Sequence, residues 1–188
     1  MKIIEVDTNI INKLRNSGIS DKMKTFESCS WLVLEEHNEK IIGVAGMGGL
    51  FHISSIYIDK NFRGKGLGKT LQQALINEAK KKGYSFAAVF IDPTNVTSAK
   101  LHDFFGYKTI FRIHYSSQIT QEIKIYVLKS RGRIIERFLS FFNTLIGIFI
   151  LACILKILKP LFTKVISYNE KQIPDPNIKW IIKNFEKI

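Results

Sequence analysis

Apolar residues recur with two different periods along this chain of 188 residues. Alternating or unbroken β-branched and aromatic runs predict strands in KIIEVD, SWLVLEEHNEKIIGVAGMGG with HNEK as its hairpin turn, LFHISSIYID, YSFAAVFID, YKTIFRIHYSS and EIKIYVLKS. Helical spacing predicts helices in NIINKLRNSG, from Gly66 to Lys82, and in TSAKLHDFF, and Gly18 and Gly106 can end the first and the last. The order β, α, βββ, α, β, α, ββ predicts an α/β fold: a mixed, mostly antiparallel central sheet flanked by helices, followed by a helical tail.

The stretch NFRGKGLGKTL, residues 61 to 71, stands where a predicted strand gives way to a helix. The first N–H groups of a helix have no internal acceptor and the helix dipole is positive there, so this junction favours an anion. Glycine lets the backbone approach a phosphate without a Cβ in the way. The spacing fits neither a Walker A motif nor a Rossmann fingerprint. The glycines are Gly64, Gly66 and Gly68, and the cations are Arg63, Lys65 and Lys69. A glycine-rich turn with solvated lysines is the alternative interpretation.

A second motif follows the next predicted strand, and it consists of Asn95, Ser98, Leu101, His102, Gly106 and Tyr107. With this motif the sequence resembles the GNAT superfamily of acyl-CoA-dependent N-acyltransferases. The pyrophosphate loop of that family reads Arg/Gln-x-x-Gly-x-Gly/Ala, which is Arg63, Gly66 and Gly68 here. Its other segment reads Asn-x-x-Ala/Ser-x-x-Leu-Tyr-x-x-x-Gly-Phe. The resemblance extends over residues 1 to 130 and says nothing about the tail.

The resemblance implies that acetyl-CoA is the cofactor and assigns residues to its parts. Backbone groups around Ile56 and Ile58 would contact the pantetheine arm. Asn95 and Ser98 would hold the cofactor from the end of the next strand. The pyrophosphate would lie on Arg63, Gly64, Lys65, Gly66, Leu67, Gly68 and Lys69. This assignment agrees with the independent expectation from the helix terminus.

The family implies direct transfer of an acetyl group from the thioester to a primary amine, with an acid for the thiolate and a base for the amine. The motif tyrosine that serves as the acid in many members is His102 here. An imidazolium can protonate a thiolate, although His102 lining the cofactor groove is the alternative. His52, six residues before Ile58, is the expected base, because some members carry a glutamate there. Glu35 or Glu36 acting through water, or ordered water alone, are alternatives.

The tail, residues 131 to 188, carries 10 basic against 4 acidic residues of a chain whose net charge is +12. Residues 138 to 155 contain no charge, so a membrane helix is predicted over 138–158. An amphipathic, basic helix is predicted over 176–188, and it suits a membrane interface. The alternatives are a soluble helix against the sheet and a homodimer interface.

These observations together predict a domain over 1–130 that acetylates an amine at the cytoplasmic side of a membrane. A soluble cytoplasmic enzyme is the alternative location. Two other functions remain open: acetylation of aminoacyl-tRNA or protein by a basic, polyanion-binding surface, and a non-catalytic acyl-CoA-binding module on a membrane. Nucleic acid is a less favoured partner, because the excess charge is concentrated beside an apolar segment. Two distant cysteines, Cys29 and Cys153, indicate no metal site and no disulfide framework.

Overall fold

The structure is a computed structural model that describes residues 1–17, 19, 23–49, 52–114, 118–165 and 178–188. Two compact units, Met1–Ala87 and Ala88–Ile188, divide the chain. The strands are β1 (Lys2–Glu5), β2 (Trp31–His37), β3 (Lys40–Gly48), β4 (Ile53–Ile58), β5 (Phe86–Ile91), β6 (Lys108–His114) and β7 (Thr120–Val127). They form one seven-stranded sheet in the order β1-β2-β3-β4-β5-β7-β6.

The pairings β1–β2, β2–β3, β3–β4 and β6–β7 are all antiparallel. The predicted hairpin turn joins β2 to β3, where Asn38 and Glu39 both have positive φ, +50° and +63°. A two-residue turn with positive φ at both positions matches the right-handed twist of the flanking strands. The predicted fold class, a mostly antiparallel mixed sheet flanked by helices, is confirmed.

The helices are α1 (Thr8–Asn16), α2 (Met23–Glu27), α3 (Leu67–Lys81), α4 (Val96–Phe104), α5 (Gly132–Ser140), α6 (Leu145–Val165) and α7 (Ile178–Lys183). Short 3-10 turns occupy Lys60–Phe62 and Phe141–Asn143. The sequence pattern did not predict α2. Gly18, the predicted end of the first helix, lies outside the described residues. Gly83 and Gly106 follow α3 and α4 with φ of +85° and +82°, as expected of glycines that end helices.

In the first unit, α1 and α2 cover one face of the sheet. Their buried side chains Leu14 and Phe26 belong to a cluster with Leu32 of β2 and Val44 of β3. Tyr57 of β4 packs against the same cluster, so its side chain lies on the face of the sheet that α1 and α2 cover. Because side chains alternate along a strand, the next residue, Ile58, directs its side chain to the opposite face.

The prediction of a single helix over 138–158 is wrong, because the chain breaks at Thr144. Thr144 is extended, with φ −126° and ψ 157°, and its Oγ1 accepts a hydrogen bond from the Gly147 amide at 3.0 Å, which caps α6. A Cβ on Gly147 would lie 2.1 Å from the Phe141 carbonyl oxygen, so the tight turn requires glycine there. Among the described residues no single helix has the length and apolar character to cross a membrane. Two consecutive segments have the required length and apolar composition only when taken together, and they are bent by 96°: Gly132–Asn143 and Leu145–Leu158.

The last described segment packs beside this break. The Asn143 side-chain amide donates to the Ile188 carbonyl at 2.9 Å, and its oxygen accepts from the Ile188 amide at 3.2 Å. Ile181 of α7 is 1% exposed, and α7 contacts α6 and β6. The amphipathic helix predicted over 176–188 is observed as Ile178–Lys183, while residues 176 and 177 lie outside the described part.

Candidate active site

The turn between β4 and α3 is held by side chains that bond to its own backbone. Asp59 accepts a hydrogen bond from the Asn61 amide at 2.9 Å, and Arg63 Nε donates to the Ile58 carbonyl oxygen at 3.1 Å. These contacts tie both ends of the 3-10 turn to the last residue of β4 and to Asp59, which follows it. The start of the predicted glycine-rich junction is therefore held in place by hydrogen bonds, and the junction leads directly into α3.

Two glycines give this turn its shape. Gly64 has φ +77° and Gly66, the N-cap of α3, has φ +79°, values that other residues adopt only with strain. A Cβ at either position would meet no atom within 4 Å, so the backbone angle and not crowding demands glycine. Gly68 lies in the first turn of α3 and has no such requirement of φ.

The backbone amides of this turn are suited to an anion. Among the described residues no protein acceptor binds the amides of residues 64 to 68, whereas the Lys69 and Thr70 amides bond to the Gly66 carbonyl at 3.0 and 3.2 Å. Lys65 is exposed, with its Nζ 5.2 Å from the centre of the Phe62 ring, and Arg63 and Lys69 are also exposed. Unpaired amides, the positive end of a helix dipole and three cations fit the diphosphate of coenzyme A.

The two β4 residues expected at the pantetheine arm are half-buried. Ile56 pairs with Ala45 and Ile58 with Gly43 across the β3–β4 ladder. The Ile58 carbonyl oxygen accepts the Arg63 bond, so a ligand bonded to this oxygen would share it with Arg63. The pantetheine contact at Ile56 and Ile58 therefore stays a prediction.

In the second unit, Asn95 and Ser98 come together at the start of α4. The Asn95 side-chain oxygen caps the helix by accepting from the Ser98 amide at 3.1 Å. Asp92 orders the preceding loop, because its carboxylate accepts from the Thr94 amide at 2.9 Å. An asparagine at this position thus has a local structural reason, helix capping, besides the cofactor contact that the family implies.

His102 lies on the buried side of α4 and is only 4% exposed. Its Nδ1 is 2.8 Å from the Ser98 carbonyl oxygen, and its ring meets the Tyr107 ring edge-on at 4.9 Å between centres. Burial lowers the pKa of His102, the Ser98 carbonyl partly opposes this, and the Lys124 cation lowers the pKa further. His102 is therefore a neutral imidazole near pH 7, which disfavours the expected role as an acid.

The strand placement expected for His52 is wrong. His52 precedes β4 and has φ +48°, so the backbone turns there. Its ring packs against Tyr84 at 4.4 Å and Phe86 at 4.9 Å between ring centres. Burial lowers the pKa of His52, partly offset by a hydrogen bond to the Phe86 backbone, so the ring is neutral at pH 7, as a base requires. Six residues of extended chain, about 20 Å, separate His52 from Ile58.

The alternative base Glu36 is engaged by two lysines. Lys2 Nζ lies 2.6 Å from its carboxylate, and Lys13 contacts the other oxygen. Hydrogen bonds from Lys13 and Lys2 lower the pKa of Glu36, which makes it a weak base. Glu35 lies 3.0 Å from the amino group of Met1.

His102 contacts an aromatic pair whose second member lies outside the second motif. Tyr107 occupies the phenylalanine position of the second motif and stacks on Tyr126 of β7 at 5.3 Å between ring centres. Lys124, also on β7, is buried and pairs with Asp103 of α4 at 2.6 Å. A tyrosine at a motif position was a readable signal, but its partner on β7 depends on strand register, which the sequence pattern does not fix.

Comparisons with known proteins bear on the family and the fold of the chain. The sequence model of the acetyltransferase (GNAT) family matches residues 9–107. An N-acetyltransferase from Staphylococcus aureus Mu50 is 25% identical, with a TM-score of 0.54 over 68% of this chain and 98% of that one. The ribosomal-protein-S18-alanine N-acetyltransferase from Escherichia coli is 16% identical, with a TM-score of 0.56 over 68% and 94%.

A third similar structure is yncA from Salmonella typhimurium, which contains its cofactor acetyl-CoA. It is 17% identical, with a TM-score of 0.54 over 69% of this chain and 94% of that one. The similarity to the Escherichia coli and Salmonella typhimurium structures is one of fold alone. No curated protein sequence matches the chain.

Proposed function

The chain belongs to the GNAT acetyltransferase family, and from this premise we propose that it moves an acetyl group from acetyl-CoA directly to a primary amine. Its cofactor is acetyl-CoA, as in the family as a whole. The observation that supports the proposal best is the turn at residues 64 to 68, where amides without a protein acceptor precede α3. Those amides and Arg63, Lys65 and Lys69 would bind the pyrophosphate, and Ile56 and Ile58 the pantetheine arm.

In the proposed reaction the amine nitrogen attacks the thioester carbonyl carbon. The new C–N bond forms as the C–S bond breaks, so the acetyl group leaves sulfur without a covalent enzyme intermediate. The amine must first lose a proton, and the thiolate gains one. An ordinary cysteine thiol has a pKa of about 8.5, above neutral pH, so a released thiolate such as that of coenzyme A can also take its proton from water.

We assign His102 a positioning role in α4 and not the acid role, because a neutral ring whose Nδ1 donates to Ser98 has no proton on Nε2 to give. Its edge-on contact with Tyr107 supports this role, since it orients the aromatic pair Tyr107–Tyr126. His52 remains the proposed base on the strength of its neutral ring. Ordered water is the alternative route for the amine proton.

We also propose that the enzyme works at the cytoplasmic side of a membrane, held by its tail. The support is the apolar surface that α5 and α6 expose between Ile134 and Ile157. An amine located there, such as an amino sugar of a surface polysaccharide or an amine of a membrane protein, would be the acceptor. The tail's 10 basic residues against 4 acidic ones favour an acceptor or surface that carries negative charge.

The test is the release of free thiol from acetyl-CoA in the presence of purified full-length protein and sets of amines. Amino sugars, peptides with free N-termini and polyamines would be compared with a mixture without amine. We expect amine-dependent thiol release together with an acetylated product in the mass spectrum. Tight binding of coenzyme A without thiol release would instead support a non-catalytic binding module. In that case His102→Phe and His52→Ala should leave the background thiol release unchanged.

A further inference from the structure

The tail exposes many apolar side chains to solvent, which is energetically unfavourable. Among the described residues, most of the exposed large apolar side chains lie on α5, on the break after it and on α6. We call them the apolar face, and they are Ile134, Phe138, Phe141, Leu145, Ile146, Phe149, Ile150, Ile154 and Ile157. Exposed apolar side chains concentrated on consecutive elements in this way are typical of an interaction site.

Helix α6 is apolar on two sides, but only one side is covered by the protein. Ile148 and Ala152, one turn apart, are each 1% exposed. Phe149 and Ile157 on the other side are 49% and 75% exposed. An ordinary surface helix would carry polar residues on this outer side. The inner side is therefore committed to the fold, and the outer side is open to a partner.

A basic cleft adjoins the apolar face. Its volume is about 630 Å³, and it lies between α5 and the edge of the sheet where β6 begins and β7 ends. Arg133 and Arg137, one turn apart on α5, line it with Lys108 and Tyr126. The carboxylate of Glu136 also lines the cleft and pairs with Lys108 at 3.4 Å. Neither arginine has a carboxylate partner among the described residues, so the cleft has an excess of positive charge suited to a phosphate.

The arginines and the apolar face are placed as an interfacial helix requires. At 100° per residue, Ile134 and Phe138 lie about a quarter turn around α5 from Arg133 and Arg137. Helices that lie in a membrane interface bury an apolar stripe and hold cations at the level of the headgroups. The long aliphatic stem of arginine lets it do so beside an apolar stripe.

We propose that the apolar face docks in the plane of an anionic lipid bilayer and that the cleft of Arg133 and Arg137 receives a lipid phosphate. This inference rests on the proposed membrane location and adds to it an orientation, a lipid charge and a headgroup site.

Charge complementarity favours lipid over a second copy of the chain. The segment from Arg131 to Lys156 holds four cations and the single carboxylate of Glu136. Two copies facing each other through the apolar face would bring these like charges together. An anionic leaflet instead attracts each basic residue near its surface.

The experiment is co-sedimentation of the full chain with vesicles of phosphatidylcholine alone or mixed with phosphatidylglycerol. We expect stronger binding to the mixed vesicles than to phosphatidylcholine alone, and salt should remove the difference because surface attraction is screened. Arg133→Gln/Arg137→Gln should reduce partitioning into mixed vesicles roughly tenfold or more, from the typical attraction of each basic residue. Phe149→Ser/Ile157→Ser should reduce binding to both kinds of vesicle.

The matched control is Lys81→Gln/Lys82→Gln, which removes the same charge from the end of α3 and should bind as the unchanged chain does. Inorganic phosphate as competitor separates the cleft from the bilayer: it should lower partitioning no further than the arginine variant does, because the apolar face contributes the rest of the attachment.

Equal partitioning of the arginine variant and the control would overturn the headgroup site. Retention in the membrane after a carbonate wash, or a dimer in sedimentation without vesicle binding, would overturn in-plane docking. Thiol release from acetyl-CoA with a soluble amine, measured on the same preparations, reports separately on the proposed acetyl transfer.

Discussion

His102 donates its Nδ1 proton to the carbonyl oxygen of Ser98, one turn earlier in α4. The bond fixes the neutral tautomer, because a carbonyl oxygen only accepts. Burial and the charge of Lys124 lower the pKa of His102, whereas the unfolded chain keeps a value of about 6.5. The unfolded state therefore binds more protons than the folded state once the pH falls below about 6.5. We expect the free energy of unfolding to fall there by up to about 1.4 kcal/mol per pH unit from this group.

Urea unfolding at a series of pH values measures this dependence. His102→Gln should flatten the profile below pH ~6.5, where the ordinary imidazole titrates. His37→Gln, which removes an exposed histidine of β2, is the matched control for the loss of one histidine. His52 and His114, whose pKa values burial also lowers, add to the same trend. A His102→Gln profile as steep as that of the unchanged chain would show that another group carries the effect.

Gly66 should be required for coenzyme A binding beyond its effect on stability. Gly66→Ala forces a side chain into φ +79°, which costs about 1–2 kcal/mol of stability. If the altered backbone loses one bond to a phosphate, affinity should fall roughly ten- to a hundredfold, since bonds to charged groups contribute about 1.5–3 kcal/mol. Calorimetric titration with coenzyme A measures this loss.

Gly83→Ala is the matched variant, because Gly83 has φ +85° at the other end of α3. It should cost similar stability and leave the affinity for coenzyme A unchanged. A parallel loss of affinity in both variants would mean that the Gly66 result reports only a weakened fold.

Arg63 should act through its hydrogen bond as well as its charge. Arg63→Lys keeps the charge and loses the Nε bond to the Ile58 carbonyl oxygen. We expect about fivefold weaker coenzyme A binding, the equivalent of one hydrogen bond of about 1 kcal/mol. Arg63→Gln, which lacks the charge, should bind more weakly still. Arg63→Lys with unchanged affinity would show that charge alone matters here.

Thr144 should stabilise the break between α5 and α6. Thr144→Val keeps the side-chain shape and removes the oxygen that caps the Gly147 amide, so the unfolding free energy should fall by about 1 kcal/mol. Thr144→Ser retains the hydroxyl and should remain close to the unchanged chain. Thermal unfolding of the two variants makes the comparison, and an equal melting temperature would contradict the capping role.

Much of the fold was predictable because local signals and packing agree. The β4–α3 junction is readable from Gly64 and Gly66, since positive φ favours glycine in any context. The second motif is readable because Asn95 caps a helix, which depends on residues three positions apart.

The remainder depends on contacts that sequence spacing does not fix. The uncharged stretch from Phe138 to Leu155 has the composition of one long helix, and hydropathy gives no weight to the cap at Thr144 or to the close approach at Gly147. A capping threonine three residues before a glycine was the signal that could have located the break. His52 was assigned to the strand by its apolar neighbours, whereas its ring packs on Tyr84, distant in sequence.

The amide-lined turn before α3 has one more consequence, for how the enzyme tolerates chemical damage. Acetyl-CoA acetylates lysine amines on its own, and Lys65 and Lys69 stand exposed beside the site where it would bind. Their modification would remove two charges, yet the donors at residues 64 to 68 belong to the main chain and carry no reactive amine. If the main-chain amides bind the diphosphate as proposed, acetylation of Lys65 and Lys69 would weaken the binding of acetyl-CoA without abolishing it.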